Sequence, residues 1–148
     1  LTWVKVSKEV KMKLSAIKVN SALAEQGSWV DSIPDLPGIR IKARGANNSD
    51  YRVLEAKLIR EIPRADRLEG LKPADQDRIM GTLLLETVVI DVEGLTEDDG
   101  KTPVKYTREL GQGLLLDPDF RVFRAGAAYA GAIVADRRAA DQEIEAKN

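Results

Sequence analysis

The chain has 148 residues, with 23 Lys plus Arg against 24 Asp plus Glu, and neither Cys nor His. That length suits one domain burying about two thirds of its unfolded surface in a single core, without a disulfide or metal for stability. The missing Cys and His exclude disulfide frameworks, thiolate nucleophiles, zinc sites with nitrogen or sulfur ligands and every triad that relies on an imidazole base, and the balanced charge gives no global field toward nucleic acid or an anionic membrane.

Residues 1–18 carry Lys5, Lys8, Lys11, Lys13 and Lys18 against the single acid Glu9 and read as a basic arm. Trp3, Val4 and Val6 suit a short strand, while Val10, Leu14, Ile17 and Ala22 suit one apolar side of a helix; both readings stay open. The arm either lies on an acidic partner surface or on nucleic acid, or forms a solvated terminus. From Gly27 the pattern is β: a short strand at Trp29-Val30, a turn with Pro34 and Pro37, and a second strand over 39–44. Ile39, Ile41 and Ala43 share one face of that strand and Arg40, Lys42 and Arg44 the other. Three cations in a row suit a phosphate backbone, but no stacking aromatics interleave with them, which favours a solvated face.

Tyr51, Leu54, Leu58 and Ile62 fall at spacings that predict an amphipathic helix over 51–62, ended by Pro63. Pro73, with Asp75 and Asp77, starts the densest apolar run of the chain, 73–95, and Gly94 is its stop. Ile79, Met80, Leu83, Leu84, Thr87, Val88 and Ile90 follow a helical spacing and predict a central core helix. The rival reading is a strand over 87–92, where Val, Ile and Thr dominate. Val104 and Tyr106 suit a brief strand, Thr107 caps a helix to about Leu116, and Asp117-Pro118 opens the longest helix. In that helix Phe120, Phe123, Ala127, Ala130 and Val134 recur at alternating spacings, and the Ala/Gly stretch 125–132 permits close approach of another helix, in the core or across a subunit boundary. Past Val134 the polar end is expected to run out into solvent or onto a partner.

Chemistry-bearing motifs are weak. Glu97-Asp98-Asp99-Gly100 lacks the ligand spacing of a calcium loop and reads as a surface turn. Gly111-Gln-Gly113 opens like a dinucleotide fingerprint but has Leu116 where the third Gly belongs. No catalytic constellation, cofactor or metal site is expected. No run has transmembrane length and no signal-peptide pattern is present, so a soluble cytoplasmic setting is expected.

Residues 12–148 resemble the tail assembly chaperones of tailed bacteriophages. The resemblance lies in the order of Glu25-Gln-Gly-Ser-Trp-Val30, the strand 39–44 with Gly45, Asn48-Ser-Asp-Tyr-Arg52, Leu85-Glu-Thr-Val-Val-Ile-Asp91, Gly94-Leu95, the acidic turn with Gly100, Pro103, Tyr106, Leu114-Leu115 and a final Ala-rich helix closing on Lys147-Asn148. It departs at Val92-Glu93, where a Trp is expected before Gly-Leu. The resemblance implies a non-enzymatic helper that keeps the tape measure protein soluble while tail tube subunits assemble, working in the host cytoplasm. The alternatives are a permanent virion subunit (connector, tail or capsid-associated), located in the virion, and a nucleic-acid-binding regulator.

The expected architecture is a mainly α (α+β) protein: a basic arm at 1–18, a globular helical domain at 19–135 with a small antiparallel β-hairpin at 28–44, and a polar helix end at 136–148. The candidate partner-binding residues are Arg40, Lys42 and Arg44 on the strand and Tyr129, Ile133 and Arg137 in the last helix. The expected partners are phage tail proteins or other virion subunits and further copies of the chain, without membrane or nucleic acid.

Overall fold

Alternation of apolar and charged side chains builds a sheet in the middle of the chain. In the computed structural model, which describes residues 9–139, α1 (Ser21–Gln26) leads into β1 (Ser28–Val30), which pairs antiparallel with β2 (Arg40–Ala43), Trp29 opposite Lys42 and Val30 opposite Ile41. Ile41 and Ala43 are fully buried and Arg40 is exposed, as a strand with one covered face requires. The link between the strands turns at Pro34-Asp35, where the Leu36 N–H donates to the Ile33 carbonyl at 3.2 Å and Asp35 takes a positive φ of 64°.

Helices cover the sheet. Asn48 caps α2 (Ser49–Arg60), its side-chain oxygen accepting from the Tyr51 N–H at 2.8 Å. Pro63 precedes the short α3 (Arg64–Arg67), and Pro73 opens α4 (Pro73–Leu83) with Asp75 in its first turn. A third strand, β3 (Val89–Glu93), follows, and pairs with β2 to give the antiparallel order β1-β2-β3. Thr107 caps α5 (Arg108–Leu116), and a 3-10 turn (Pro118–Phe120) leads into α6 (Arg121–Asp136). The fold is therefore α+β, mainly helical among the described residues, with α6 packed against β1 and β2, α5 against α6 and α4, and α4 against α2. The main core joins Ile41, Leu84, Val88, Leu115, Phe123 and Val134; a smaller cluster of Leu58, Ile62, Ile79 and Leu83 lies between α2 and α4, and Tyr51 packs against both.

The central run is not one helix. Helix α4 ends at Leu83, a π-helical turn occupies Leu84–Val88, and β3 begins at Val89 without a loop. The apolar spacing is helical as far as Leu85. Beyond it the β-branched residues Thr87, Val88, Val89, Ile90 and Val92 favour the extended backbone, and β2 offers a ladder for them. The carbonyls left open at the helix end are taken up locally: the Thr87 hydroxyl donates to the Leu83 carbonyl, the Asn48 amide to the Thr87 carbonyl and the Arg44 N–H to the Val88 carbonyl. Ile90, expected in the core, is exposed. Gly94, read as a helix stop, instead ends β3 with a φ of 98°, its Cα so close to the Gly38 carbonyl that a Cβ would overlap it.

Other expectations need correction. Val104 and Tyr106 form no strand; the Val104 N–H donates to the Leu95 carbonyl, and Thr96 and Pro103 make an isolated bridge. The last helix does not run on into solvent. It ends at Asp136, Arg137 is extended, and Arg138 pairs with Val19 through the bonds Asn20 N–H to Arg137 carbonyl and Ala139 N–H to Lys18 carbonyl, each 2.9 Å. Val10, Leu14 and Ile17 form no helix face: a 3-10 turn at Leu14–Ala16 holds no buried residue. The strand reading of Trp3, Val4 and Val6 and the tail from 140 onward lie outside the described residues.

Candidate interaction surfaces

The strand cations are taken up within the chain. Arg40 pairs with Glu93 across β3 at 2.9 Å and stacks over the Trp29 ring, 4.9 Å from its centre. Arg44 donates to the Glu25 backbone carbonyl at 2.7 Å, to the Glu25 carboxylate at 3.0 Å and to Asp50 at 2.8 Å, tying α1, β2 and α2 together. Lys42 is half-buried, level with Trp29 on one side and Asp91 on the other. Glu93 and Glu25 lie 53 and 19 residues away in sequence and follow only from strand register and helix placement, so a residue-by-residue reading leaves the row looking free. Arg137 likewise reaches back to the Ser28 hydroxyl and the Trp29 carbonyl, the latter at 3.0 Å, and so covers the outer edge of β1.

The acidic turn and the Gly-Gln-Gly stretch have structural explanations. Asp99 accepts from the Lys101 and Thr102 N–H groups and the Thr102 hydroxyl, hydrogen bonds that hold its carboxyl below the usual range, with the hydroxyl foremost. No group of three or more acidic side chains suited to a metal ion occurs among the described residues. Gly111 is buried against the Tyr106 ring, which occupies the space a Cβ would need, so this glycine serves helix packing rather than a phosphate.

The outer face of α6 is the first surface left uncovered. Buried Phe123, Ala127, Ala130 and Val134 face the core, but Phe120, placed with them by spacing, is exposed. Val122 is 49% exposed and Tyr129 38%, and with Ala125 and Ala132 they make an apolar stripe. Beside it, Val122, Tyr129, Pro34, Asp35 and Arg121 line a cleft of about 460 Å³. Ile133 is half-buried on the flank of the helix and packs against the core. Tyr129 and Ile133 thus sit together on α6, whereas Arg40, Arg44 and Arg137 are spent on internal partners.

The second uncovered surface is the segment before α1. Val10 is 97% exposed and Leu14 82%, with Met12, Ile17 and Val19 also in water. Lys11 and Lys13 alternate with the first three of these.

The described residues thus form a small α+β protein with two exposed apolar surfaces and its strand arginines paired internally. Residues 46–148 match the family described as YdaY prophage protein, and the chain belongs to that family. Its origin is thus phage-associated. The match begins after β2, although β3 needs β2 as its ladder partner. Neither curated proteins nor solved structures gave a match to the chain. None of the helices among the described residues is long and apolar enough to cross a membrane.

Proposed function

We propose that the chain is a non-enzymatic tail assembly chaperone, which binds the tape measure protein, tail tube subunits or both during virion morphogenesis. Membership of a prophage family and the ordered resemblance to tail assembly chaperones support the phage setting. The observation that carries the binding role is the segment 10–19, whose five large apolar side chains stand in water beside lysines. Such a segment covers apolar helix on a client and presents charge outward, without a deep pocket or catalytic group. A chaperone leaves its client when tube subunits close around it. Mass spectrometry of purified virions is the test: the chain is expected in infected cells and absent from particles.

The same segment also favours a second reading, a permanent virion subunit whose basic arm wraps a neighbour. Stoichiometric copies of the chain in purified virions establish that reading and overturn the first. The nucleic-acid reading has less support, since Arg40 and Arg44 already face carboxylates.

A further inference from the structure

We infer that α6 is a homodimer seam, with two copies of the helix packed antiparallel along their outer faces. An amphipathic helix on a protein surface places charged residues opposite its buried stripe. Helix α6 does not: between Arg121 and Asp136 its exposed stripe is Val122, Ala125, Tyr129 and Ala132, about 15 Å along the helix axis. The one charge within this span, Arg124, is held to one side by Asp77 at 3.3 Å.

The charges at the two ends identify the occupant. Arg121 stands at the N-terminus of α6 and Asp136 at its C-terminus, each at the end where the helix dipole disfavours it. Among the described residues neither makes an ion pair with another. An antiparallel second copy corrects both ends at once: its Asp136 meets Arg121 at the positive end, and its Arg121 meets Asp136 at the negative end. That alignment sets Ala125 opposite Ala132 of the other copy, so small residues face each other and the helix axes approach closely. The two-fold axis falls between Ala128 and Tyr129. The second copy's last turns then lie along the cleft beside Val122. An isologous contact of this kind closes on itself and is built from α6, not from the 10–19 segment proposed to bind a client. A monomer still binds a client through that segment, so the seam and the chaperone reading fail separately.

Sedimentation equilibrium of the full chain over a concentration series tests the seam. The expected result is a reversible dimer of twice the 16.3 kDa chain mass. Arg121→Asp or Asp136→Arg alone sets like charges together at both ends and weakens association about tenfold or more, while the double exchange restores it. Single cysteines in this Cys-free chain supply a test on the intact fold. Tyr129→Cys, beside the axis, cross-links under mild oxidation, whereas Ala125→Cys and Ala132→Cys each cross-link only when mixed with one another. A chain that stays monomeric, a dimer indifferent to the charge reversals, or self-linking at position 125 overturns the antiparallel seam.

Discussion

The Asn48 side-chain amide donates to the Thr87 carbonyl at 2.7 Å, joining residues 39 apart in sequence at the point where α4 becomes β3. Its second donor bond goes to the Gly45 carbonyl at 2.8 Å, and its oxygen caps α2. Asn48 is only 1% exposed, and its removal takes from the Thr87 carbonyl its side-chain donor. Asn48→Ala is expected to cost about 2–4 kcal/mol, the sum of a lost cap and an orphaned carbonyl. Urea unfolding at constant m checks this, and a loss under about 0.5 kcal/mol shows that the junction holds without it.

Gly81 and Gly113 make a paired test of helix packing. Added to Gly81, a Cβ overlaps the Leu115 carbonyl where α4 meets α5; at Gly113 it meets nothing within 4 Å. Helix propensity favours Ala over Gly at both sites by up to about 1 kcal/mol. Gly113→Ala is therefore expected to raise the unfolding midpoint. Gly81→Ala is expected to lower stability by about 1–3 kcal/mol, because backbone cannot rotate aside as a side chain does. Equal gains at the two sites contradict the close approach.

Glu25 makes stability depend on acid. The Ser49 N–H foremost, then the Ser49 hydroxyl and Arg44, hold its carboxyl below the usual range. A depressed folded value means that the charged form is the one folding favours. The contribution is present above the unfolded carboxylate pKa of about 4.3 and is lost as pH falls through the folded value. Glu86, lowered chiefly by its hydrogen bonds with Arg108, acts in the same direction. Urea midpoints from neutral pH down to about pH 3 are expected to fall less steeply for Glu25→Gln than for the wild type. Parallel slopes rule out this role for Glu25.

The elements bounded by caps were legible in the sequence. Pro73 and Thr107 mark the starts of α4 and α5, the spacing of Tyr51, Leu54 and Leu58 marks α2, and the alternation from Ile39 to Arg44 gives β2 its buried face. The joining of α4 to β3 was not, because Leu83, Leu84 and Leu85 satisfy a buried helix as well as the approach to a buried strand, and what decides between them is the ladder that β2 provides. The internal pairing of the candidate cations was hidden for a related reason. Arg40 and Arg44 look free until strand pairing and helix placement bring Glu93, Glu25 and Asp50, 53, 19 and 6 residues away, beside them. Tyr129 was legible as a surface candidate only because the Ala/Gly stretch left room around it. Val10, Leu14 and Ile17 suit a helix face by spacing, and it is their exposure that decides against it.

That exposed segment carries the last prediction. Val10, Met12 and Leu14 belong to neither core cluster, so replacing all three with Ser removes apolar surface that the folded chain already leaves in water. Folding stability is expected to change by no more than about 0.5 kcal/mol, in contrast to a core substitution such as Leu84→Ala, whose buried side chain is worth about 2–5 kcal/mol. Client binding is expected to respond in the opposite sense. Co-expressed with a tape measure protein, the wild-type chain keeps it in the soluble fraction and the triple variant does not, while Leu84→Ala acts only to the extent that it unfolds the chain. Full solubilisation by the triple variant moves client binding elsewhere on the molecule. A large loss of stability in that variant instead shows that the segment folds back onto the domain and was never available to a client.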